Sequence, residues 1–362
     1  MILSTIIIFI LVLGLLVFVH ELGHFITAKR SGINVEEFGF GLPPRLFGVK
    51  RGETIYSLNL LPIGGFVKIF GENGEEKTDE RSFSAKSILC RAKILASGVF
   101  MNYLLAVILF SVAFTVGLPA IVEDGSGYVK DARIQITQVV SNSPAQKSGI
   151  AIGDQIVSLS VGGSQELVEV KEIIDVQKMV SKNVGKEVNV TIKRGDKTFV
   201  LDTIPRENPP EGEVALGIVL AKTALVSYPW YESLWRGFLF SITLTWEMIS
   251  ALFILASNFF RGSSGGFEVA GPVGIYQLTG QMSQLGINYL IHFVAFLNLN
   301  LAIVNILPFP ALDGGRLLFL LIEKIKGKPI NQKSERLANS IGLALLVLLM
   351  VFITYKDIIR FF

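Results

Sequence analysis

Residues 2–24 read ILSTIIIFILVLGLLVFVHELGH, a charge-free apolar run to Val19 that ends in His20-Glu21-Leu22-Gly23-His24. About 20 apolar residues cross a bilayer, so the run is long enough to span. Histidines four apart share one helical face, where both ring nitrogens can reach one metal ion. Glu21, next to His20, can flank that ion and take a proton from water. A charge at the bilayer centre costs about 2.5–3.5 kcal/mol on insertion scales, so it calls for a functional reason. The spacing alone is degenerate, and chance occurrence is the competing reading.

The rest of the chain has the same character. Of 362 residues, 51% are hydrophobic and 17% charged, the composition of an integral membrane protein. Further apolar windows fall at about 95–118, about 287–321 (interrupted by Pro308 and Pro310) and about 337–355, with 237–260 an ambiguous fifth. The first run has no basic leader and no small-residue cleavage site, so it is expected to stay as a helix. The net charge is +3 and no Lys/Arg block is interleaved with aromatics. Nucleic acid is therefore not an expected partner. Cys90 stands alone, which excludes an internal disulfide and a cysteine-based zinc site.

Loop charges set the expected topology. Lys29, Arg30, Arg45, Lys50 and Arg51 follow the first helix, none precedes it, and Arg91 and Lys93 close the same loop. The positive-inside rule then places the N-terminus outside and residues 29–93 in the cytoplasm. Residues from about 120 to 230 fall outside. Lys324, Lys326, Lys328 and Lys333 mark a second cytoplasmic hairpin. A full crossing by 237–260, which carries Trp246 and Glu247, would put that hairpin on the wrong side, so this stretch is expected partly in or along the membrane surface. The first and third helices then run in the same direction, and their C-terminal ends share one depth.

Near that end the chain reads NLNLAIVNILPFPALDGGR over residues 298–316. Two prolines two apart cannot sit in a regular helix, so a break is expected near 306–311. Broken backbone at membrane depth is tolerated only where protein buries it or it lines a watery cavity. Asp313 follows, on a chain that Gly314 and Gly315 let turn. A catalytic zinc takes three protein ligands and keeps one position for water. His20, His24 and Asp313 complete that count with one Zn2+ per chain, while His292, a dozen residues before the break, is expected as an ordinary core or interfacial histidine. Zinc lowers the pKa of water to about 7, Glu21 serves as base and then acid, and Asn305 can donate to the oxyanion or hold substrate backbone. Asn305 satisfying the broken turn, Asn300 as a weaker substrate contact, and Asp313 as N-cap of a helix at 315–323 remain open alternatives.

At these residues the sequence resembles the site-2 protease family, peptidase family M50, and within it the bacterial metalloproteases of regulated intramembrane proteolysis. The resemblance rests on His20–His24 and on Asn305, Pro308, Pro310 and Leu312-Asp313-Gly314. It extends through Phe40-Gly41, Pro44-Arg45-Leu46-Phe47-Gly48, Leu61-Pro62-Ile63-Gly64-Gly65-Phe66-Val67-Lys68 and Gly271-Pro272-Val273-Gly274-Ile275. It implies zinc on His20, His24 and Asp313, catalysis by Glu21, and substrate contacts at Asn305 and Asn300. Implied substrates are single-span membrane proteins such as anti-sigma factors or remnant signal peptides, in the plasma (inner) membrane, with the active site near the cytoplasmic side. Some relatives carry two PDZ domains where this chain has room for one, and many have Gly-Pro where it has Gly98-Val99.

Two segments fit substrate handling. Thr54–Leu60 alternates as a half-exposed strand, and Gly64-Gly65 separates it from Phe66-Val67-Lys68-Ile69 in an expected β-hairpin. Such an edge could pair with an unwound substrate through the strand bearing Tyr56 and Leu58; a plain cytoplasmic hairpin is the alternative. From Ile134 the pattern resembles a PDZ domain. It has a strand, a short helix at Ser143-Pro144-Ala145, a Gly153-Asp154 turn, a helix over 172–180, and strands 188–193 and 198–204 about Arg194-Gly195-Asp196. Leu216-Gly217-Ile218 is the candidate carboxylate-binding loop; the domain either binds peptide termini or filters substrates by size.

The expected fold is a polytopic α-helical membrane protein of about four transmembrane helices, with a membrane-associated β-hairpin and an inserted extracytoplasmic α+β PDZ domain. The expected divisions are 1–119 (two helices and hairpin), 120–225 (PDZ), 226–285 (membrane-associated amphipathic linker) and 286–362 (C-terminal membrane part). The competing function is a non-catalytic membrane receptor or chaperone that holds clients through the PDZ domain. Intact ligands together with Glu21 argue against it. A metal transporter would need a second acidic cluster, which the sequence lacks.

Overall fold

The computed structural model describes residues 2–72, 78–121, 129–162, 167–195, 197–210, 213–261 and 270–361. In chain order these form α1 (Ile2–Arg30), β1 (Val35–Arg51), β2 (Thr54–Ile69), α2 (Ile88–Val116), β3 (Leu118–Ile121), β4 (Val129–Val139) and α3 (Pro144–Lys147). Next come β5 (Gln155–Val161), β6 (Val168–Glu169), α4 (Ile173–Lys182), β7 (Val188–Arg194), β8 (Lys197–Thr203) and β9 (Ile218–Val226). The chain ends with α5 (Trp230–Phe260), α6 (Pro272–Leu285), α7 (Ile287–Ile306), α8 (Asp313–Lys326) and α9 (Gln332–Phe361). It divides into two compact units. One comprises Met1–Phe110, Leu234–Gly280 and Phe293–Phe362, the other Ser111–Ser233 and Gln281–His292.

In the first unit, helices follow the apolar runs because a bilayer leaves backbone groups only their own ladder as partner. Five described helices are long and apolar enough to cross a membrane: Leu3–Arg30, Ile88–Val116, Trp230–Leu255, Ile287–Ile306 and Gln332–Ile359. Length and composition thus admit α5, which loop charge had set aside. Its Phe240, Leu244 and Met248, spaced four apart on one face, pack with Ala106 and Phe110 of α2 and with Ala295, Leu299 and Ile303 of α7. The 287–321 run is two helices, since Pro308 and Pro310 stop α7 at Ile306.

The β-hairpin is larger than expected. β1 and β2 meet at a turn through Gly52, whose φ is 65°, and β1 folds back on its partner. Glu37 pairs with both Ile55 and Lys68, and Phe38 with both Tyr56 and Val67. Residues 45–51 pair with 54–59 on the other side. The stretch 54–60, expected to be an edge, is therefore paired on both sides; the outer strands are 45–51 and 65–69. Leu46 (61% exposed), Phe47 (64%) and Val49 (50%) lie on the former.

The second unit holds a sheet in the order β3-β9-β4-β5-β7-β8, with β6 on β5. Ile136, Leu159, Val190, Ile192 and Leu216 pack with Val176 and Val180 of α4 in its core. Ser143 caps α3, its side chain accepting from Gln146 N, with Pro144 in the first turn. Glu172 and Asp175 form a reciprocal capping box on α4. β7 and β8 pair from Val188↔Thr203 to Arg194↔Lys197; of their turn, Asp196 lies outside the described residues. Asp154, fully buried, accepts hydrogen bonds from Nε and Nη2 of Arg194 at 2.6 and 2.7 Å and from the Ala151 amide at 2.8 Å.

Candidate metal centre

Three elements of the first unit build the site. α1 carries His20 and His24 on one face, both buried. α2 crosses α1 at contact distance because glycine faces it from both sides. A Cβ at Gly23 would lie 2.4 Å from Ser97 O, and one at Gly98 would lie 2.4 Å from His24 Nε2 and 2.7 Å from His20 Cε1. Small residues let apolar helices approach this closely. The same face of α2 orients both rings. His24 Nδ1 donates to Ile94 O at 2.8 Å, and Asn102 Nδ2 lies 3.4 Å from His20 Nδ1. With its Nδ1 proton so placed, His24 presents a free lone pair at Nε2.

The third element is the break after α7. Ala311 takes a φ of 76°, and Leu312, not Asp313, is the N-cap of α8. Asp313 opens the first turn, so the N-cap alternative for it does not hold; its carboxylate points at the imidazoles instead. Gly314 and Gly315 have no positive φ; the need is for space. A Cβ on Gly314 would sit 2.2 Å from Ile306 O and Leu307 O, and one on Gly315 2.2 Å from Phe309 O.

The three side chains converge. Asp313 Oδ2 lies 3.0 Å from His20 Nε2 and 3.3 Å from His24 Nε2, and the two Nε2 atoms are 3.2 Å apart. Among the described residues this is the one His/Cys/Asp/Glu group able to hold a metal, and His292 is not part of it. Asp313 Oδ2 is buried with no hydrogen bond aligned on it. Four ligands at about 2.0–2.1 Å in a tetrahedron are about 3.3 Å apart, so these separations are those of one zinc-binding face. The donor set, two imidazoles and a carboxylate, fits the same ion.

Glu21 is half-buried, and its Cγ would be 3.7 Å from a Cβ on Gly65, at the bend of β2. Tyr56 stacks edge-on against Phe25, the residue after His24, and is 38% exposed, while Leu58 is 48% exposed. Asn300 and Asn305 are half-buried on α7, and the amide that reaches His20 is that of Asn102. Gly98 and Asn102, four apart in an apolar helix, carry the signal that would have marked this face: a small and a polar residue together at a helix contact. Beyond Asp313, Arg316 pairs with Glu72, and Arg91 with Glu323 at 2.6 Å, tying α8 to the end of the hairpin and to α2. In the second unit, Leu216 is buried, Gly217 has a φ of 73°, and the Gly217 amide is spent on Val214 O.

The described residues thus define a protein of membrane-length helices with one three-donor metal cluster. The family follows from comparison: the chain belongs to peptidase family M50, whose model matches residues 8–349. It is 40% identical over 351 residues to a provisionally named zinc metalloprotease of Clostridium perfringens, covering 97% of each chain. It is 32% identical over 444 aligned positions to the regulator of sigma-W protease RasP of Bacillus subtilis, covering all of both chains. The zinc metalloprotease RasP of Bacillus licheniformis is 31% identical, covering 99% of this chain and 100% of that one.

Proposed function

We propose that this zinc metalloprotease cleaves transmembrane segments of single-span membrane proteins, with one Zn2+ held by His20, His24 and Asp313. The convergence of those three donor atoms within 3.0–3.3 Å of one another carries the reading. Zinc supplies Lewis acidity, which polarises a peptide carbonyl and acidifies water. Glu21 accepts the water proton at its carboxylate and returns it to the leaving nitrogen. Asn102 holds the His20 ring. Turning its amide by 180° brings Oδ1, which is buried without a partner, onto the His20 Nδ1 proton, leaving Nε2 free for metal.

Asn305 and Asn300 are the substrate-backbone contacts in this reading, and the β1–β2 sheet is the platform for unwound substrate. Tyr56 and Leu58 contribute from its surface, while new backbone pairing falls to an outer strand. The second unit serves as a PDZ domain whose Leu216-Gly217-Ile218 loop either receives peptide ends or limits substrate size. The kinship with a regulator of sigma-W supports anti-sigma factors as substrates. Loop charge supports a plasma-membrane protein with its N-terminus and PDZ domain outside and its active site near the cytoplasmic side.

Purified E21Q should keep zinc at the wild-type ratio while cleavage of a labelled single-span substrate stops. D313N should lose zinc on purification. Wild-type cleavage by E21Q, or full zinc content in D313N, refutes the corresponding role.

A further inference from the structure

We propose that Asn339 of α9 is a positioning residue that aims the Asp313 carboxylate at the two imidazoles. This rests on the reading of Asp313 as a zinc ligand. The problem it solves is local. Pro308 and Pro310 have no amide hydrogen, so the break between α7 and α8 cannot be held by a helical ladder of its own. Ala311 is the first residue after Pro310 with an amide to offer, and it stands at a φ of 76°. Residues with a Cβ avoid that conformation unless their surroundings impose it.

α9 imposes it. Asn339 Oδ1 accepts the Ala311 amide at 3.1 Å. One turn on, Gly342 is buried against the same segment, and a Cβ there would lie 2.5 Å from Pro310 O. These two contacts bracket the peptide bond between Pro310 and Ala311, two residues before the ligand. Only 6% of the apolar window of α9 is buried, so general packing does not explain them. Two of its polar contacts to other elements fall on one stripe, at Asn339 and, farther along, at Asp357, which accepts the Gly274 amide of α6 at 2.8 Å. An asparagine in a lipid-facing helix is costly unless its amide has such a partner.

The experiment uses the full-length protein in detergent and measures zinc retention against a chelator, with thermal unfolding of the zinc-free protein in parallel. N339L should weaken retention about 10–100-fold, the usual effect of removing a group that orients a ligand. Adding A311G should restore most of it, because glycine adopts the positive φ without the imposed bond. Wild-type retention in N339L, beside loss in D313N, overturns the proposal. So does a loss that A311G fails to restore, or an N339L defect confined to the melting of the zinc-free protein. Full retention in D313N is a different failure, that of the ligand reading itself, and it takes this inference with it. Should N339L not fold, G342A displaces the same peptide, and the same pair of measurements, with and without A311G, decides.

Discussion

A single methyl group tests how tightly the metal centre is held. Gly98 leaves room for both imidazoles, and a Cβ there would need the space of His24 Nε2, 2.4 Å away. Neither ring can yield, since His24 is fixed through Nδ1 to Ile94 O and His20 is flanked by Asn102. G98A should therefore displace the donor atoms as well as cost about 1–3 kcal/mol in overpacking. Zinc content of the purified variant should fall well below one per chain, with a lower melting temperature. Full occupancy would show that α2 can retreat. The histidine pair was legible in sequence because helical periodicity alone brings the two rings onto one face. Asp313 was legible because the prolines announce a break. Ile94 was not, and Gly98 and Asn102 left only the trace of a small and a polar residue four apart, because their role exists only once α2 lies across α1, 70 and 82 positions apart in the chain at the two contacts.

At the scale of elements, pairing partners decided what sequence could not. The alternation over 54–60 correctly indicates a strand, but alternation carries no record of how many neighbours a strand has. β1 supplies two flanks where one was expected, and the outer position passes to 45–51. If substrate adds to the sheet at that edge, a proline at Lys50 should slow cleavage of a single-span substrate while leaving zinc in place. Lys50 stands opposite Ile55 one step from the two-residue turn, where antiparallel alternation points its amide outward, and proline removes that rung. Equal rates for K50P and the parent would exclude that edge. In the second unit, α4 was legible to within two residues because its start is written locally. The Asp175 carboxyl accepts amides from Glu172 and Lys171 at 2.9 and 3.0 Å, which hold it below the usual carboxylate range. A depressed value in the folded chain means stability present above the ordinary carboxylate pKa and lost as pH falls through the lower one. Hydrogen exchange at the first turn of α4, corrected for intrinsic rates, should speed up on acidification in the parent and be fast and nearly pH-independent in D175A.

For the whole molecule, the metal centre constrains the topology more strongly than hydropathy does. His20 and His24 sit toward the basic end of α1, and Asp313 follows the C-terminal end of α7. Their convergence requires α7 to cross in the same direction as α1, so an odd number of crossings must separate the two helices. α2 supplies one. α5 is long and apolar enough to supply another, so composition and parity give different counts. Any crossing by α5 must be undone before Ile287, and α6, with 14 residues, spans only about 21 Å at 1.5 Å per residue, short of the roughly 30 Å hydrocarbon core. The basic loops agree with this parity, since Lys50 and Arg51 then share a side with Lys324 and Lys326. Single cysteines in a Cys90→Ser background should report it with a membrane-impermeant thiol reagent. Positions 52 and 327, in the β1–β2 turn and after α8, should be labelled from the cytoplasmic face alone, and position 181 in α4 from the opposite face. Labelling of 52 and 327 from different faces would be incompatible with His20, His24 and Asp313 sharing one ion.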